Sequence, residues 1–143
     1  MMLVASLMNP NVLTVTPETA VSQAVRLLTH YDIGSLPVVQ ADGELRGIVT
    51  DRDILTRAVA MEAELRELTV GDVMTRAVVT IPPDADVREA AAVMAARRVR
   101  RLPVAKNRRL VGVITLADLA RARSCDMEAS LALGKISTPG REG

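Results

Sequence analysis

At 143 residues, 49% of them apolar, the chain is long enough to bury one compact core and too apolar to remain disordered. A formal charge of +1 provides no global pull toward nucleic acid or membrane, and Tyr31 as the sole aromatic removes the stacking platforms of RNA-recognition and single-strand-binding folds. A single cysteine, Cys125, and a single histidine, His30, exclude an internal disulfide and the usual His/Cys zinc sets.

The chain opens on Met1-Met2-Leu3-Val4-Ala5-Ser6-Leu7-Met8, which has no basic n-region and only a brief apolar run before Asn9-Pro10. It reads neither as a secretory signal nor as a membrane span, and a reducing, cytoplasmic setting is expected. A short turn ending in Met8 leads to an apolar strand over 12–15, then a break at Pro17. Val21, Val25 and Leu28 recur at helical spacing and predict a helix with Thr19 as its cap candidate. Two strands follow, Leu36 to Gln40 and Leu45 to Val49, joined by a tight turn at Asp42-Gly43. A closing helix runs from Asp51 to about Ala60, and residues 61–69, rich in glutamate, form a linker that could prolong it.

The same order then returns. At an offset of 66, Val4, Met8, Val12, Thr14, Pro17, Val21, Ala24, Leu36, Pro37 and Val38 meet identical residues. After a one-residue shift in the turn, Leu45, Gly47, Thr50 and Asp53 meet Leu110, Gly112, Thr115 and Asp118. The second copy therefore predicts a strand over 78–81, a helix with Val87, Ala91 and Met94 on one face and Asp86 with Glu89 as a capping box, a hairpin of Leu102 to Ala105 with Leu110 to Ile114 around Asn107-Arg108, and a closing helix from Ala117 to about Arg123. Each unit is β-α-β-β-α, which gives an α/β (α+β) chain divided into a first repeat at 1–60, a linker at 61–69, a second repeat at 70–123 and an extension at 124–143. A unit this small is unable to bury both faces of a sheet alone, so the two are expected to pack through their sheets with helices outside.

The duplicated Gly-x-x-Thr-x-x-Asp carries the chemistry. A hydroxyl at a strand end and an Asp in the first helical turn both lie near a helix N-terminus, where unpaired N–H groups favour an anion. A phosphate beside the Thr and a sugar diol beside the Asp would satisfy that geometry. The plainer alternative makes Thr50 and Thr115 helix caps, with Asp53 and Asp118 as charges favourable to the dipole. The repeats differ most before Leu-Pro-Val, where Tyr31-Asp32-Ile33-Gly34-Ser35 faces Arg97-Arg98-Val99-Arg100-Arg101. Seven residues between Arg97 and Arg109 are basic and none is acidic, a cluster suited to polyphosphate or, alternatively, to a solvated helix end. His30 reads as a helix C-terminal residue, and the acidic residues elsewhere weigh against a nucleic-acid interface at the arginines.

The ordered set, present twice over residues 3 to about 123, resembles tandem cystathionine-beta-synthase (CBS) domains, the pair known as a Bateman module. The resemblance implies a disc with pseudo-twofold symmetry, commonly paired into homodimers, whose two clefts bind AMP, ADP, ATP or S-adenosylmethionine. It implies that Asp53 and Asp118 hold ribose and that Thr50, Thr115, Arg100 and Arg101 hold phosphate. Thr14, Val15, Ile33, Leu36 and Pro37, with Thr80, Ile81, Val99, Leu102 and Pro103, would border adenine, although each is equally at home in a core. The expected function is a non-catalytic adenosyl-ligand sensor that needs no metal or other cofactor and reports occupancy to a protein partner. A ligand-free dimerisation adaptor for an enzyme or transporter is the alternative, and an RNA or DNA contact through Arg97 to Arg109 a third.

Overall fold

A computed structural model describes residues 1–122. In chain order it comprises α1 (Val4–Leu7), α2 (Val21–His30), β1 (Ser35–Val39), β2 (Leu45–Thr50), α3 (Asp51–Asp53), a π-helical stretch (Ile54–Ala58), α4 (Val59–Met61), α5 (Val70–Val73), α6 (Val87–Arg97), β3 (Arg101–Lys106), β4 (Arg109–Thr115) and a last helix, α7, over 116–122. The order expected from the sequence, two hairpins each flanked by a helix on either side, is the order in the structure. The expected extension at 124–143, with Cys125, lies outside the described residues.

Each hairpin is antiparallel and carries the same irregularity, a register shift between Val38 and Val39 in one and between Val104 and Ala105 in the other. The turns differ in length, as the offset change requires. Gly43 takes φ 90° in the first, whereas Asn107 and Arg108 take φ 53° and 68° in the second. The expected strands at 12–15 and 78–81 shrink to single parallel bridges, Val15 with Val38 and Ile81 with Val104. Only those two residues reach the sheet edge, through pairs such as Val15 N–H to Pro37 C=O at 3.1 Å and Val39 N–H to Val15 C=O at 2.8 Å.

The helix caps also depart from expectation. Ala20, not Thr19, is the N-cap of α2, because the Thr19 hydroxyl is taken by the Thr16 amide at 3.0 Å. Asp86 does cap α6 by accepting from the Arg88 amide at 2.9 Å, but the expected capping box with Glu89 does not form, because the Glu89 amide donates to the Asp86 backbone carbonyl instead of its side chain. The Arg88 side chain, then its amide, hold the Asp86 carboxyl below its usual range. The buried stripe of α6 is Ala90 and Met94, one position over from Ala91, which is exposed. After Met61 the chain turns at Glu62, whose φ of 52° is left-handed and ends the helix instead of prolonging it through the linker.

Two clusters form the core, and they do not follow the repeats. Val70, Val73 and Met74 of α5 and its end pack with Leu36, Val38 and Val49 of the first hairpin. Val4 of α1 packs with Leu102, Val104 and Ile114 of the second. The leading segments are therefore exchanged: Asn9 pairs with Val113, and Thr75 with Ile48. Backbone bonds pin both crossings, among them Val4 N–H to Ala85 C=O at 2.8 Å and Val70 N–H to Thr19 C=O at 2.7 Å. At the hairpin tips Leu45 N–H donates to Arg108 C=O at 2.8 Å and Leu110 N–H to Gly43 C=O at 3.1 Å, which joins the two sheets directly. Leu102, 1% exposed at the centre of its cluster, offers a check: Leu102→Ala is expected to cost about 2–5 kcal/mol in chemical denaturation.

The exchange explains why the motif begins with glycine. A Cβ on Gly47 would collide with the Thr75 carbonyl oxygen, and one on Gly112 would lie 2.8 Å from Met8 Sδ and 2.9 Å from the Asn9 carbonyl oxygen. Each glycine admits the crossing backbone of the other half. Among the described residues no helix is long and apolar enough to cross a membrane.

Candidate functional site

β2 and β4 deliver their terminal threonines to the start of a helix, and there both polar pairs close on themselves. The Thr50 Oγ accepts from the Asp53 amide at 2.9 Å while Asp53 Oδ2 accepts from the Thr50 amide at 3.1 Å. Thr115 and Asp118 repeat the arrangement at 3.1 and 2.8 Å. Both are capping boxes, so the capping role weighed from sequence is realised in full. It does not exhaust the groups: each threonine keeps a hydroxyl proton to donate and each aspartate a second oxygen.

The second oxygen separates the two halves. Asp53 Oδ1 accepts from the Thr75 hydroxyl at 3.2 Å and lies 3.8 Å from Arg57, whose guanidinium also donates to the carbonyls of Val73 and Met74 at 2.9 and 2.7 Å. The crossing segment of the other half thus clamps the first cradle. At the corresponding position of the second half stands Asn9, whose side chain is turned to the Asn11 amide at 3.0 Å. Asp118 Oδ1 instead meets Arg121, an exposed side chain on the next turn. The π-helical stretch that carries Arg57 reinforces the difference, since residues 116–122 are regular α-helix.

A cavity of about 320 Å³ opens beside the second cradle. Thr115, Arg101, Ser35, Asn9, Asn11 and Tyr31 contribute polar groups to its lining, and Pro37, Pro103 and Ile33 contribute apolar surface. The volume lies at the lower end of the roughly 300–1,000 Å³ usual for small-molecule sites. Because strand residues alternate faces, Pro37 and Pro103 border the cavity while Leu36 and Leu102 turn into the two core clusters. Val15 and Ile81 are also core residues. Thr50 and Asp53 stand at the neighbouring helix start, outside the lining of this cavity, and Asp118, buried one helical turn beyond Thr115, is not part of the lining either. Arg100 and Val99 are exposed, and the Arg100 carbonyl accepts from the Leu116 amide at 2.7 Å. Thr14 and Thr80 border two other hollows, nearer the hairpin tips.

Asn9, Asn11 and Tyr31 are lining residues that the sequence reading did not single out. Tyr31 left one signal, as the lone aromatic in a chain that otherwise has none, and it is 55% exposed with His30 edge-on at 4.7 Å. Asn9 left none, because its place depends on the exchange of segments. Replacing Thr75 with valine removes the hydroxyl that occupies Asp53, and a loss of about 1 kcal/mol in thermal stability is expected from that single bond.

Two hairpins joined at their tips, exchanged leading helices and a threonine–aspartate cradle on each closing helix define a paired-repeat module. The sequence profile of the CBS domain matches residues 4–60 and 70–124, and the chain belongs to the CBS domain family. It is similar to the uncharacterized protein YlbB of Bacillus subtilis, 39% identical over 118 residues that cover 82% of this chain and 79% of that one. Two solved structures resemble it throughout the pair. CBSX2 in complex with AMP is 28% identical with a TM-score of 0.79, covering 89% of this chain and 99% of that one. The CBS domain pair of MJ0100, in complex with 5′-methylthioadenosine and S-adenosyl-L-methionine, is 30% identical with a TM-score of 0.72, covering 85% and 99%.

Proposed function

We propose that the protein is a non-catalytic regulatory module that binds one adenosyl ligand, AMP, ADP, ATP or S-adenosylmethionine, in the cavity beside Thr115. The observation that carries the reading is the continuity of that cavity, in which a threonine at a helix N-terminus and an arginine adjoin an apolar wall. Phosphate or another anionic end group would meet the Thr115 hydroxyl and Arg101, with Arg100 close by in sequence, and the Asp118 carboxylate would accept from the ribose hydroxyls. The base would lie against Pro37, Pro103 and Ile33, with the Tyr31 ring available to stack on it. The bound ligands of CBSX2 and MJ0100 support the adenosyl class.

Occupancy has consequences only if the ligand prefers one arrangement of the module or of its assembly. Exposed Leu55, Val59 and Leu116 on the closing helices supply apolar surface for a homodimer and a protein partner, in the cytoplasm. A thermal scan of the full chain with AMP, ADP, ATP and S-adenosylmethionine tests the reading, since a ligand bound only by the native state raises the midpoint. A rise with at least one of them is expected. No rise with any would favour the ligand-free adaptor, a reading supported by the fact that both cradles already satisfy their own amides.

A further inference from the structure

The hairpin tips carry two hollows that correspond under the repeat and differ in chemistry. One, of about 200 Å³, is bordered by Pro10, Thr14, Gly43 and Val111. The other, of about 460 Å³, is bordered at the matching positions by Arg76, Thr80, Arg108 and Arg46. Those three arginines come from three separate segments: the strand β2, the crossing segment after α5 and the turn between β3 and β4. Among the described residues the sole carboxylate on the rim is Glu44, 3.4 Å from Arg46, which leaves their sum at an excess of two positive charges.

The turn gives a second, independent sign. Arg108 holds a φ of 68°, a left-handed conformation that disfavours any side chain with a Cβ. The first repeat places Gly43 at the matching turn, with φ 90°. Glycine is the unstrained choice at this position of the turn, so the backbone conformation does not account for an arginine there.

We infer that the hollow bordered by Arg46, Arg76 and Arg108 is a second anion site, separate from the adenosyl cavity, that takes a compact phosphorylated group such as pyrophosphate or the phosphate end of a nucleotide. Guanidinium groups bind phosphate oxygens in a bidentate way, and the Thr80 hydroxyl adds a neutral donor. The Arg76 guanidinium is already anchored on the Gly71 carbonyl at 3.2 Å, which fixes one wall of the site.

Calorimetric titration of the full chain with inorganic pyrophosphate, and in parallel with ADP, tests this. Wild type is expected to bind pyrophosphate, and the Arg46→Ala, Arg108→Gly double variant to lose at least about tenfold in affinity, while Arg100→Ala and Asp118→Ala stay within about twofold. Arg108→Gly alone is expected to raise the melting midpoint by about 2–4 °C while weakening pyrophosphate, which separates loss of the site from loss of the fold. Whether the Arg46→Ala, Arg108→Gly double variant loses ADP affinity together with pyrophosphate names the source of the phosphate: loss of both points to a nucleotide end, and loss of pyrophosphate alone to the inorganic ion. Absence of pyrophosphate binding, an equal loss in Arg100→Ala, or loss in Asp118→Ala with the double variant unaffected would overturn the assignment. The last of these would place the anion in the adenosyl cavity and leave that reading intact.

Discussion

Gly47→Ala is expected to destabilise the protein by about 2–3 kcal/mol, a fall of roughly 5–10 °C in melting midpoint for a domain of this size. The collision is with a carbonyl oxygen that is itself committed, since Thr75 C=O accepts from the Ile48 amide at 2.9 Å. Relief by rotating a side chain is therefore closed, and either the bridge between Ile48 and Thr75 or the seating of α5 must yield. Gly112→Ala meets the Met8 sulfur and the Asn9 carbonyl oxygen, which in turn accepts from Val113 at 3.0 Å. Part of that obstruction is a flexible methionine, so its cost is expected at the lower end of the same range. Urea melts of the two variants check both numbers and their order. A wild-type midpoint for Gly47→Ala would mean that the crossing backbone is looser than it stands here.

Asp118→Ala is expected to weaken adenosyl-ligand binding by about 10- to 100-fold, the loss of hydrogen bonds from a ribose to a charged acceptor. Asp53→Ala is expected to leave the same affinity within about twofold. The asymmetry follows from the partners of the two carboxylates. Asp53 has both oxygens engaged, by the Thr50 amide on one side and by Thr75 and Arg57 on the other, whereas among the described residues Asp118 shares its second oxygen only with an arginine that is largely in solvent. Asp53→Ala should instead show its effect in stability, through the lost capping box and the released Thr75 and Arg57, by about 1–2 kcal/mol. Calorimetry with AMP on both variants, paired with melting curves, distinguishes the roles. Equal loss of affinity in the two would sink the idea of one receptive cradle and replace it with two equivalent ones.

Much of this organisation was legible because a duplicated chain carries its own control. Identical residues at a fixed offset located the repeats, and the change of offset located the turn at Asp42-Gly43 and Asn107-Arg108. The hairpins were readable from Val- and Leu-rich runs on either side of that turn, and their observed limits differ by at most one residue at each end. The Val12 to Val15 run looked like a strand because composition reports a taste for sheet and not the number of partners at hand. The face of each candidate adenine contact was likewise hidden in the neighbouring pair Leu-Pro, where alternation sends one residue inward and the next toward the cavity. The exchange of leading segments left no trace in the order of residues. Similarity between repeats records that Val4 and Val70 are equivalent, and says nothing of whether each serves its own half or the other.

That exchange bears on how the chain is made. Emerging from the ribosome, Val4 has to wait for Ala85, and Asn9 for Val113, before either finds its native contact, while the first hairpin waits for Thr75. Contacts of such long sequence separation slow folding, and they leave the first half without a finished structure of its own during synthesis. Neither half is a bead that can be cut loose and studied alone: the two are expected to gain and lose their structure in one cooperative step.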